Sequence, residues 1–538
     1  MKTPAATHAS HSRREDIGDL IVLHLHGSYR EMGRQQIELL GLLARDIYDL
    51  HRADWSALLT TLGPLAAVDR FLPRFWMTAG PRYEKSGLYQ EIKGFGDGLG
   101  VSGPAAWRGV FGTLGGGTTT FVVTRTATAD GTAILAKNSD WPDRYGQRPP
   151  MVTHYRPTNG DMAHVVAGWP LTPLPAAGMN EAGLAYGLNF FNADQVLALG
   201  LPRWPYRRVL QKASTVSEAI RIITASPNRG ISGFISLADA AGDIAMVECT
   251  PGDSAIFRPE GDWFAQSNHA RTEKMVKHDR GRGPNSFARR LAMEAAVERN
   301  LGSITPETSP LILRDRSNST YVNESTVANL AAFHSVVMHP ASRTLWHSTM
   351  RQPLAPFGEL AAFAPGSAGS PQAALPADPR LGTPEMDRET TIVRELREAM
   401  RLFDEGSVRE AGAIWDRYAA KREPAVQPHR LDWARARAQW TLGQLDEAVA
   451  ILSELDVEDV PFDVRANALT ARALLLDRQG KRQEAVAACR RAMAYLDENP
   501  QYNDGLTAPL RKRAADVLKA PQTAKPMPSF PALQGIPN

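Results

Sequence analysis

The chain has 538 residues and a mass of 58.8 kDa, which exceeds one ordinary domain and allows a large buried core. Lysine and arginine total 61 against 58 acidic residues, so the formal net charge of +3 is too small to indicate a nucleic acid or an anionic membrane as partner. Two cysteines in so long a chain argue against a disulfide framework and predict a reducing, cytoplasmic location.

The chain begins with a polar segment, residues 1–17, which is predicted to be disordered. The apolar stretch that follows, Leu20 to Leu25, is short and contains His24, so it does not match the apolar region of a signal peptide. No run of about eighteen apolar residues occurs in the sequence, which predicts that no helix spans a membrane.

A run of three glycines, Gly115 to Gly117, leads into Thr118 and a β-branched, aromatic run that is typical of a strand. A Gly117–Thr118 bond at the mouth of a buried strand suits an N–O acyl shift, in which the threonine hydroxyl attacks the preceding carbonyl and hydrolysis frees a new N-terminus. The new α-amine, with an unperturbed pKa of roughly 7.7–8.0, would then act as the base for the hydroxyl. The alternative is that this segment is a flexible turn that enters a strand.

Six short motifs follow one another between residues 20 and 290. They are Gly27–Gly33, Glu91–Gly98, Gly117–Phe121, Asp130–Thr132 followed by Asn138–Asp140, Gly178–Ala185, and Ser267–His269. In this order they resemble the acyl-coenzyme A:6-aminopenicillanic acid acyltransferase family, the isopenicillin N acyltransferase-like N-terminal nucleophile hydrolases.

This resemblance implies an α+β fold, a four-layer αββα sandwich, with self-cleavage between Gly117 and Thr118 and an acyl-enzyme on Thr118. It departs from the family at one position, because Thr118 stands where the family has its nucleophilic cysteine. A threonine hydroxyl ionises less readily than a thiol, so the replacement demands more of the base and of the oxyanion donors.

The same resemblance suggests roles for further residues. Asn268 is the candidate oxyanion donor, with a turn asparagine as the alternative. Asp140 would orient the new α-ammonium group, unless it only forms an ion pair with Lys137 or Arg144. The candidates for substrate binding are two residues that match the family pattern and two aromatic residues near the proposed nucleophile: Ser232, Arg289, Trp141 and Phe190.

Other chemistries find little support in the sequence. It contains no His-Glu-x-x-His, no Cys-x-x-Cys pair and no Gly-x-Ser-x-Gly elbow. We therefore expect neither a metal site nor a cofactor.

The C-terminal part of the chain has an internal repeat. Gly406, Gly443 and Gly480 each begin a Gly-x-x-x-Glu-Ala pattern and are 37 residues apart, close to the roughly 34-residue period of tetratricopeptide units. Each glycine is predicted to end a helix in the left-handed conformation. Such a helical region is either a platform for a protein partner or for self-association, or an appendage that stabilises the rest.

The predicted organisation is a hydrolase domain over residues 18–363, a linker rich in proline, alanine and glycine over 364–388, a tetratricopeptide-like domain over 389–520 and a disordered tail over 521–538. The predicted function is hydrolysis or acyl transfer at a linear amide bond of a small molecule. The alternative is a non-catalytic binding or scaffold protein built on a degenerate hydrolase sandwich.

Overall fold

The fold is that of a computed structural model. It describes residues 12–62, 69, 71–110, 116–141, 143–146, 148–172, 175–194, 204–226, 228–280, 284–317, 326–329, 331–366, 372–421, 426, 428–500 and 504–522.

Strands are concentrated in the first two thirds of the described chain. They are β1 Arg13–Ile17, β2 Leu20–Gly27, β3 Thr118–Arg125, β4 Gly131–Asp140, β5 Met151–Pro157, β6 His164–Gly168, β7 Ala177–Asn180, β8 Ala185–Phe190, β9 Gly233–Ala238, β10 Ile244–Cys249, β11 Ser254–Phe257, β12 Trp263–Gln266, β13 Ala332–His339, β14 Thr344–Ser348 and β15 Leu360–Phe363.

Helices occur between the strands and make up the C-terminal part. They are α1 Tyr29–Leu40, α2 Leu42–Leu62, α3 Leu72–Tyr83, α4 Leu88–Leu99, α5 Gly103–Arg108, α6 Asp143–Gly146, α7 Pro205–Lys212, α8 Val216–Thr224, α9 Glu273–Val276, α10 Pro284–Glu298, α11 Ser309–Leu313, α12 Pro384–Asp404, α13 Val408–Lys421, α14 Pro428–Thr441, α15 Leu445–Glu454, α16 Phe462–Arg478, α17 Arg482–Asp497 and α18 Asp504–Lys519.

The strands of the described chain form two sheets. The larger has nine strands in the order β1-β2-β5-β6-β7-β8-β9-β10-β11, and the smaller has six in the order β12-β3-β4-β13-β14-β15. Neighbouring strands are antiparallel except for β2 and β5, which run parallel. The strand that begins at Thr118 is therefore an inner strand, held on both edges.

Side chains alternate between the two faces of the six-stranded sheet. On one face, Val122 and Leu135 pack against the other sheet in a core that includes Met179 and Phe234. On the opposite face, Phe121 belongs to a core shared with helices α10 and α11. The nine-stranded sheet packs its outer face against helices that include α1, α4, α7 and α8. A mixed α/β fold followed by a helical region is thus confirmed.

The first two sequence motifs are explained by the contact between α1 and α4. The side chain of Ser28 accepts a hydrogen bond from the backbone N–H of Glu31, and Glu31 bonds back to Ser28, so the helix starts with a capping box. A Cβ added to Gly33 would lie 2.3 Å from the carbonyl oxygen of Glu91. The glycine therefore permits a close approach of the two helices.

The C-terminal helices pack in sequence, with α12 against α13, α14 against α15 and α16 against α17. Gly406, Gly443 and Gly480 join these pairs with φ of +91°, +81° and +77°. The predicted left-handed conformation of the three glycines is therefore confirmed, while the likeness to tetratricopeptide units stays a prediction.

Two predicted boundaries were wrong. Residues 13–17 form strand β1, which pairs with β2 along its length, although they were assigned to a disordered N-terminus. The side chains of this segment are mostly exposed and therefore polar, which predicted disorder. Its backbone nevertheless forms the edge strand of a sheet. Helix α12 begins at Pro384, inside the predicted linker, because proline fits the first turn of a helix.

Several predictions fall on residues that the structure does not describe. Residues 1–11, 367–371 and 523–538, which include parts of the predicted N-terminus, linker and tail, lie outside the described residues. Within the described part of the linker, Leu375 pairs through its backbone with Leu360 of β15.

Both cysteines, Cys249 and Cys489, are buried and reduced. Burial raises the pKa of each thiol to about 11, which fits the prediction that they are small core residues. Among the described helices, none combines the length and the apolar character needed to cross a membrane.

Candidate active site

The candidate site lies where β3 begins and β4 ends. A Cβ added to Gly117 would lie 2.3 Å from Asp140 Oδ2, and one added to Gly116 would lie 2.2 Å from the carbonyl oxygen of Asp140. At Gly116 the neighbouring atom is backbone, so this position requires glycine; at Gly117 it is a side-chain oxygen, which a Cβ would have to displace. The glycines before Thr118 thus allow the start of β3 to lie close to the end of β4. Gly115, the first of the three glycines, lies outside the described residues.

The peptide bond between Gly117 and Thr118 is held at both of its polar atoms. The backbone N–H of Asp140 donates to the carbonyl oxygen of Gly117 at 2.7 Å. The N–H of Thr118 donates to Asn268 Oδ1 at 2.8 Å. The predicted scissile bond is therefore fixed on a buried strand end, with a donor already placed at its carbonyl oxygen.

The side-chain amide of Asn268 is held by protein groups on both sides. Its Nδ2 donates to the carbonyl oxygen of Phe190 at 2.9 Å, and its Oδ1 accepts from Arg289 Nη2 at 2.9 Å as well as from Thr118. Nδ2 carries two N–H groups and donates one of them within the described part of the chain, so the other can serve an oxyanion. The predicted oxyanion role stays a prediction, and the contact with the Thr118 nitrogen is an addition to it.

Arg289, on helix α10, reaches the start of β3 from the helix-covered face of the sheet. Its Nη1 donates to the carbonyl oxygen of Thr118 at 2.7 Å and to Thr119 Oγ1 at 2.8 Å. The side chain is 2% exposed. The sequence predicted a substrate carboxylate as the partner of Arg289, whereas its guanidinium here binds the protein's own groups; contact with a substrate stays a prediction.

Asp140 is the last residue of β4 and is almost fully buried. Burial raises the pKa of its carboxyl group, against the opposing effect of the Arg289 guanidinium, whose Nη1 lies 3.9 Å from Asp140 Oδ2. The side chain of Arg144, the other ion-pair partner considered from the sequence, lies outside the described part of the structure.

Lys137, the second ion-pair partner considered from the sequence, forms no ion pair with Asp140; within the described chain Asp140 pairs with Arg289 instead. Its Nζ donates to the carbonyl oxygens of Ala176 and Leu188, at 2.8 and 2.6 Å, and so ties β4 to the other sheet. Burial lowers the pKa of Lys137 to about 7. This amine is therefore only partly protonated near neutral pH.

A cavity of about 100 Å³ opens next to Thr118. Six of the residues singled out from the sequence line it: Gly117, Thr118, Asp140, Trp141, Phe190 and Ser232. Asn268 and Arg289 lie behind this wall, one hydrogen bond from Thr118.

The rest of the wall is largely apolar, with Trp169, Leu188 and Ile231 among its members. The ring of Trp141 stacks on that of Trp169, with the centroids 6.0 Å apart and the planes at 10°. The cavity therefore suits an apolar group next to the hydroxyl of Thr118.

Three polar residues of the cavity were missed from the sequence, Ser139, His334 and Thr172. Ser139 lies opposite Thr118 in the pairing of β3 with β4, and His334 lies opposite Ser139 in the pairing of β13 with β4. Polar residues within otherwise apolar strands are a signal that the sequence does carry. Their meeting in one row depends on which strands become neighbours, which local sequence does not determine.

Comparison with known proteins gives a partial match. The family model described as acyl-coenzyme A:6-aminopenicillanic acid acyl-transferase matches residues 126–352, less than half of the chain. This range includes Asp140, Ser232, Asn268 and Arg289 and begins after Thr118. No curated protein matches the chain.

Solved structures similar to this chain include the N-acylethanolamine-hydrolyzing acid amidase ortholog of Caenorhabditis elegans, at 13% identity and a TM-score of 0.31, covering 41% of this chain and 93% of that one. They also include two variants of the conjugated bile acid hydrolase from Clostridium perfringens. One is 13% identical with a TM-score of 0.33, covering 48% of this chain and 96% of that one. The other is 14% identical with a TM-score of 0.33, covering 49% of this chain and 100% of that one.

Proposed function

We propose that this protein is a self-processing amide hydrolase or acyltransferase whose nucleophile is Thr118. The observation that carries the proposal is the double restraint on the Gly117–Thr118 bond, by the N–H of Asp140 on its carbonyl oxygen and by Asn268 on its nitrogen. A donor fixed at a carbonyl oxygen stabilises the negative charge that develops there when the carbon is attacked. The match of residues 126–352 to an acyltransferase family supports the same chemistry.

Self-cleavage divides the protein into a chain of residues 1–117 and a chain of residues 118–538. It converts the Thr118 nitrogen from an amide to a free amine. The α-amine then takes the proton of the Thr118 hydroxyl, and the oxygen attacks the carbonyl carbon of an amide substrate. The substrate's C–N bond breaks, the amine leaves with the proton, and an ester on Thr118 remains. Water hydrolyses this ester, or a second amine takes the acyl group.

The other site residues act on this step through position and charge. Asn268 Oδ1 holds the Thr118 nitrogen, and Arg289 holds the Thr118 carbonyl, so the nucleophile keeps one orientation. Asp140 supplies a carboxylate near the new ammonium group, and Ser232, Trp141 and Phe190 contact the substrate from the cavity wall. The second N–H of Asn268 Nδ2 is the proposed side-chain oxyanion donor.

The wider organisation belongs to the same proposal. The two sheets and their helices correspond to the αββα sandwich of N-terminal nucleophile hydrolases, and the C-terminal helices to tetratricopeptide-like units that dock a partner or a second copy. The substrate is a small-molecule amide with an apolar part, and we assign the protein to the cytoplasm.

The test is intact mass spectrometry of the purified protein, with N-terminal sequencing. We expect two chains, one that ends at Gly117 and one that begins Thr118-Thr119-Thr120-Phe121. The Thr118→Ala variant should stay uncut, and Thr118→Ser, which keeps a hydroxyl, should still be cut. Incubation with a panel of N-acyl amides should then add an acyl mass to the chain of residues 118–538. A folded wild-type chain that stays uncut and takes up no acyl group would instead support the non-catalytic scaffold.

A further inference from the structure

One face of the six-stranded sheet changes from apolar to polar toward Thr118. Val122, Leu135 and Val336 pack in the core between the two sheets. Further along the same three strands and on the same face, since side chains alternate, stand Thr118, Ser139 and His334. Thr118 pairs with Ser139 and Ser139 with His334, so the three form a row across neighbouring strands, about 5 Å from one strand to the next.

The polar atoms of this row lack partners in the described part of the chain. Ser139 Oγ and His334 Nε2 are buried without a hydrogen bond. The Thr118 hydroxyl also bonds to no described residue. An unsatisfied buried polar atom costs about 1–3 kcal/mol. Ser335 Oγ, on the other face of β13, is also without a partner, so what points to a function for Ser139 and His334 is their place in the cavity wall beside Thr118.

The tautomer of His334 follows from its neighbours. His347 Nδ1 lies 2.7 Å from the carbonyl oxygen of Ser348, which can only accept, so Nδ1 carries the hydrogen. Burial lowers the pKa of His347 to about 4, so the ring is neutral and its Nε2 accepts. His334 Nδ1 lies 2.7 Å from that atom and must donate to it.

His334 Nε2 therefore holds a lone pair when its ring is neutral. Burial lowers the pKa of His334, with a further contribution from His347 and from Lys137, the other titratable group that acts on it. The ring is thus an unprotonated acceptor in the cavity wall, fixed in orientation by His347.

Self-cleavage needs a base that the mature enzyme does not. In the uncut chain the Thr118 nitrogen is a peptide N–H that donates to Asn268, so it cannot accept a proton. We propose that Ser139 and His334, positioned by His347, are the base that activates the Thr118 hydroxyl for cleavage of the Gly117–Thr118 bond. This inference rests on the proposed function and adds a base specific to the first turnover.

The step balances without an oxidant or a co-reactant other than water. Neither Ser139 Oγ nor His334 Nε2 forms a hydrogen bond in the described structure, so the two contacts of the relay must form before the transfer. The Thr118 hydroxyl then passes its proton to Ser139 Oγ as Ser139 passes its own to His334 Nε2, and Thr118 Oγ1 bonds to the carbonyl carbon of Gly117. The N–H of Asp140 binds the oxyanion. When the C–N bond breaks, the proton returns through Ser139 to the leaving nitrogen, which becomes an amine. Water then hydrolyses the ester to a Gly117 carboxylate and a free Thr118 hydroxyl.

The test follows cleavage from the moment of synthesis, by pulse–chase in a cell-free translation reaction. His334→Gln and Ser139→Ala should each slow the appearance of the fragment of residues 118–538 by about 100-fold, the lower end of general base catalysis. Matched controls are His339→Gln and Ser335→Ala, both on β13 and on its other face, where His339 bonds to Thr132 and Ser342. The controls should be cut at the wild-type rate.

A second readout separates a base from a packing residue. His334→Gly should regain cleavage in proportion to added imidazole, because the cavity left by the ring admits the free base. If folded His334→Gln or Ser139→Ala is cleaved at the wild-type rate, the inference is overturned and the proposed function stays intact. The same holds if His334→Gly is cleaved slowly and imidazole does not restore its cleavage. A wild-type chain that is never cut refutes both. If His334→Gln does not fold, Ser139→Ala, which loses only an oxygen, decides the matter.

Discussion

The carboxylate of Asp140 lies directly against the α-carbon of Gly117, so that a Cβ at position 117 would fall 2.3 Å from Asp140 Oδ2. Gly117→Ala must push the strand end or the carboxylate aside. We expect a loss of about 1–3 kcal/mol in the free energy of unfolding, as for other overpacked sites, together with slower self-cleavage because the scissile carbonyl leaves the N–H of Asp140.

Denaturant unfolding and intact mass measure these two effects. Gly261→Ala is the control, because no atom lies within 4 Å of its added Cβ. Equal stability and equal cleavage of the two variants would show that the contact between residues 117 and 140 has no consequence.

The guanidinium of Arg289 binds the Thr118 carbonyl, the Thr119 hydroxyl and Asn268 Oδ1 at once. Arg289→Met keeps the apolar stem, removes these bonds and leaves the buried carboxyl group of Asp140 without the cation that lies 3.9 Å from it. We expect a loss of about 3–5 kcal/mol in the free energy of unfolding and loss of self-cleavage.

The neighbouring Arg290 provides the comparison, since it lies on the same helix but forms a more exposed pair with Glu294. Arg290 also donates to His269 Nε2, and Arg290→Met should cost about 1–2 kcal/mol in urea unfolding. Similar losses in the free energy of unfolding for both variants would contradict the conclusion that the contacts of Arg289 hold the start of β3.

Lys137 makes stability depend on pH. Its pKa is about 7 in the folded chain, against 10.5 for an ordinary lysine side chain. Between these two values the unfolded state binds a proton that the folded state does not, so the free energy of unfolding rises with pH, by up to about 1.4 kcal/mol per pH unit. Below pH 7 both states are protonated and the full cost of burial remains.

Lys137→Met removes this titration. In urea unfolding at pH 7, 8 and 9, the stability of the wild type should rise relative to that of the variant as pH increases. Parallel curves would mean that the Lys137 amine keeps its ordinary pKa.

Two glycines of the helical region should respond to alanine with opposite signs. Gly443 has a φ of +81°, so Gly443→Ala is expected to cost about 1–2 kcal/mol. Gly412 lies inside α13, where an added Cβ would meet Ala438 at an ordinary 3.6 Å. Gly412→Ala should therefore stabilise the helix, by about 0.5–1 kcal/mol. Thermal unfolding checks both, and a shift of the same sign for the two variants would refute the argument.

The sequence was sufficient to identify the strand that starts at Thr118 and the left-handed turns at the three repeated glycines. It was also sufficient to single out Asp140, Trp141, Phe190 and Ser232, which meet around one cavity. Asp140 and Ser232 match short family motifs, and Trp141 and Phe190 are aromatic residues close to these motifs in the sequence, so all four could be found from local sequence patterns.

What the sequence did not reveal depends on contacts between distant segments. Ser139 and His334 face each other only because β13 pairs with β4 in one register. The partners of Arg289 follow from how α10 lies across β3. Strand β1 was not predicted because its side chains are polar. It is a strand because its backbone pairs with β2, and composition does not show such pairing.

The parallel pairing of β2 with β5 has a consequence for the cleaved protein. β2 lies before the proposed cut and β5 after it, so scission would leave a strand of the short fragment hydrogen-bonded inside a sheet of the long one. The two fragments would remain one complex until the protein is denatured. Native mass spectrometry should therefore give the summed mass of the two fragments, and denaturing mass spectrometry should give two separate masses.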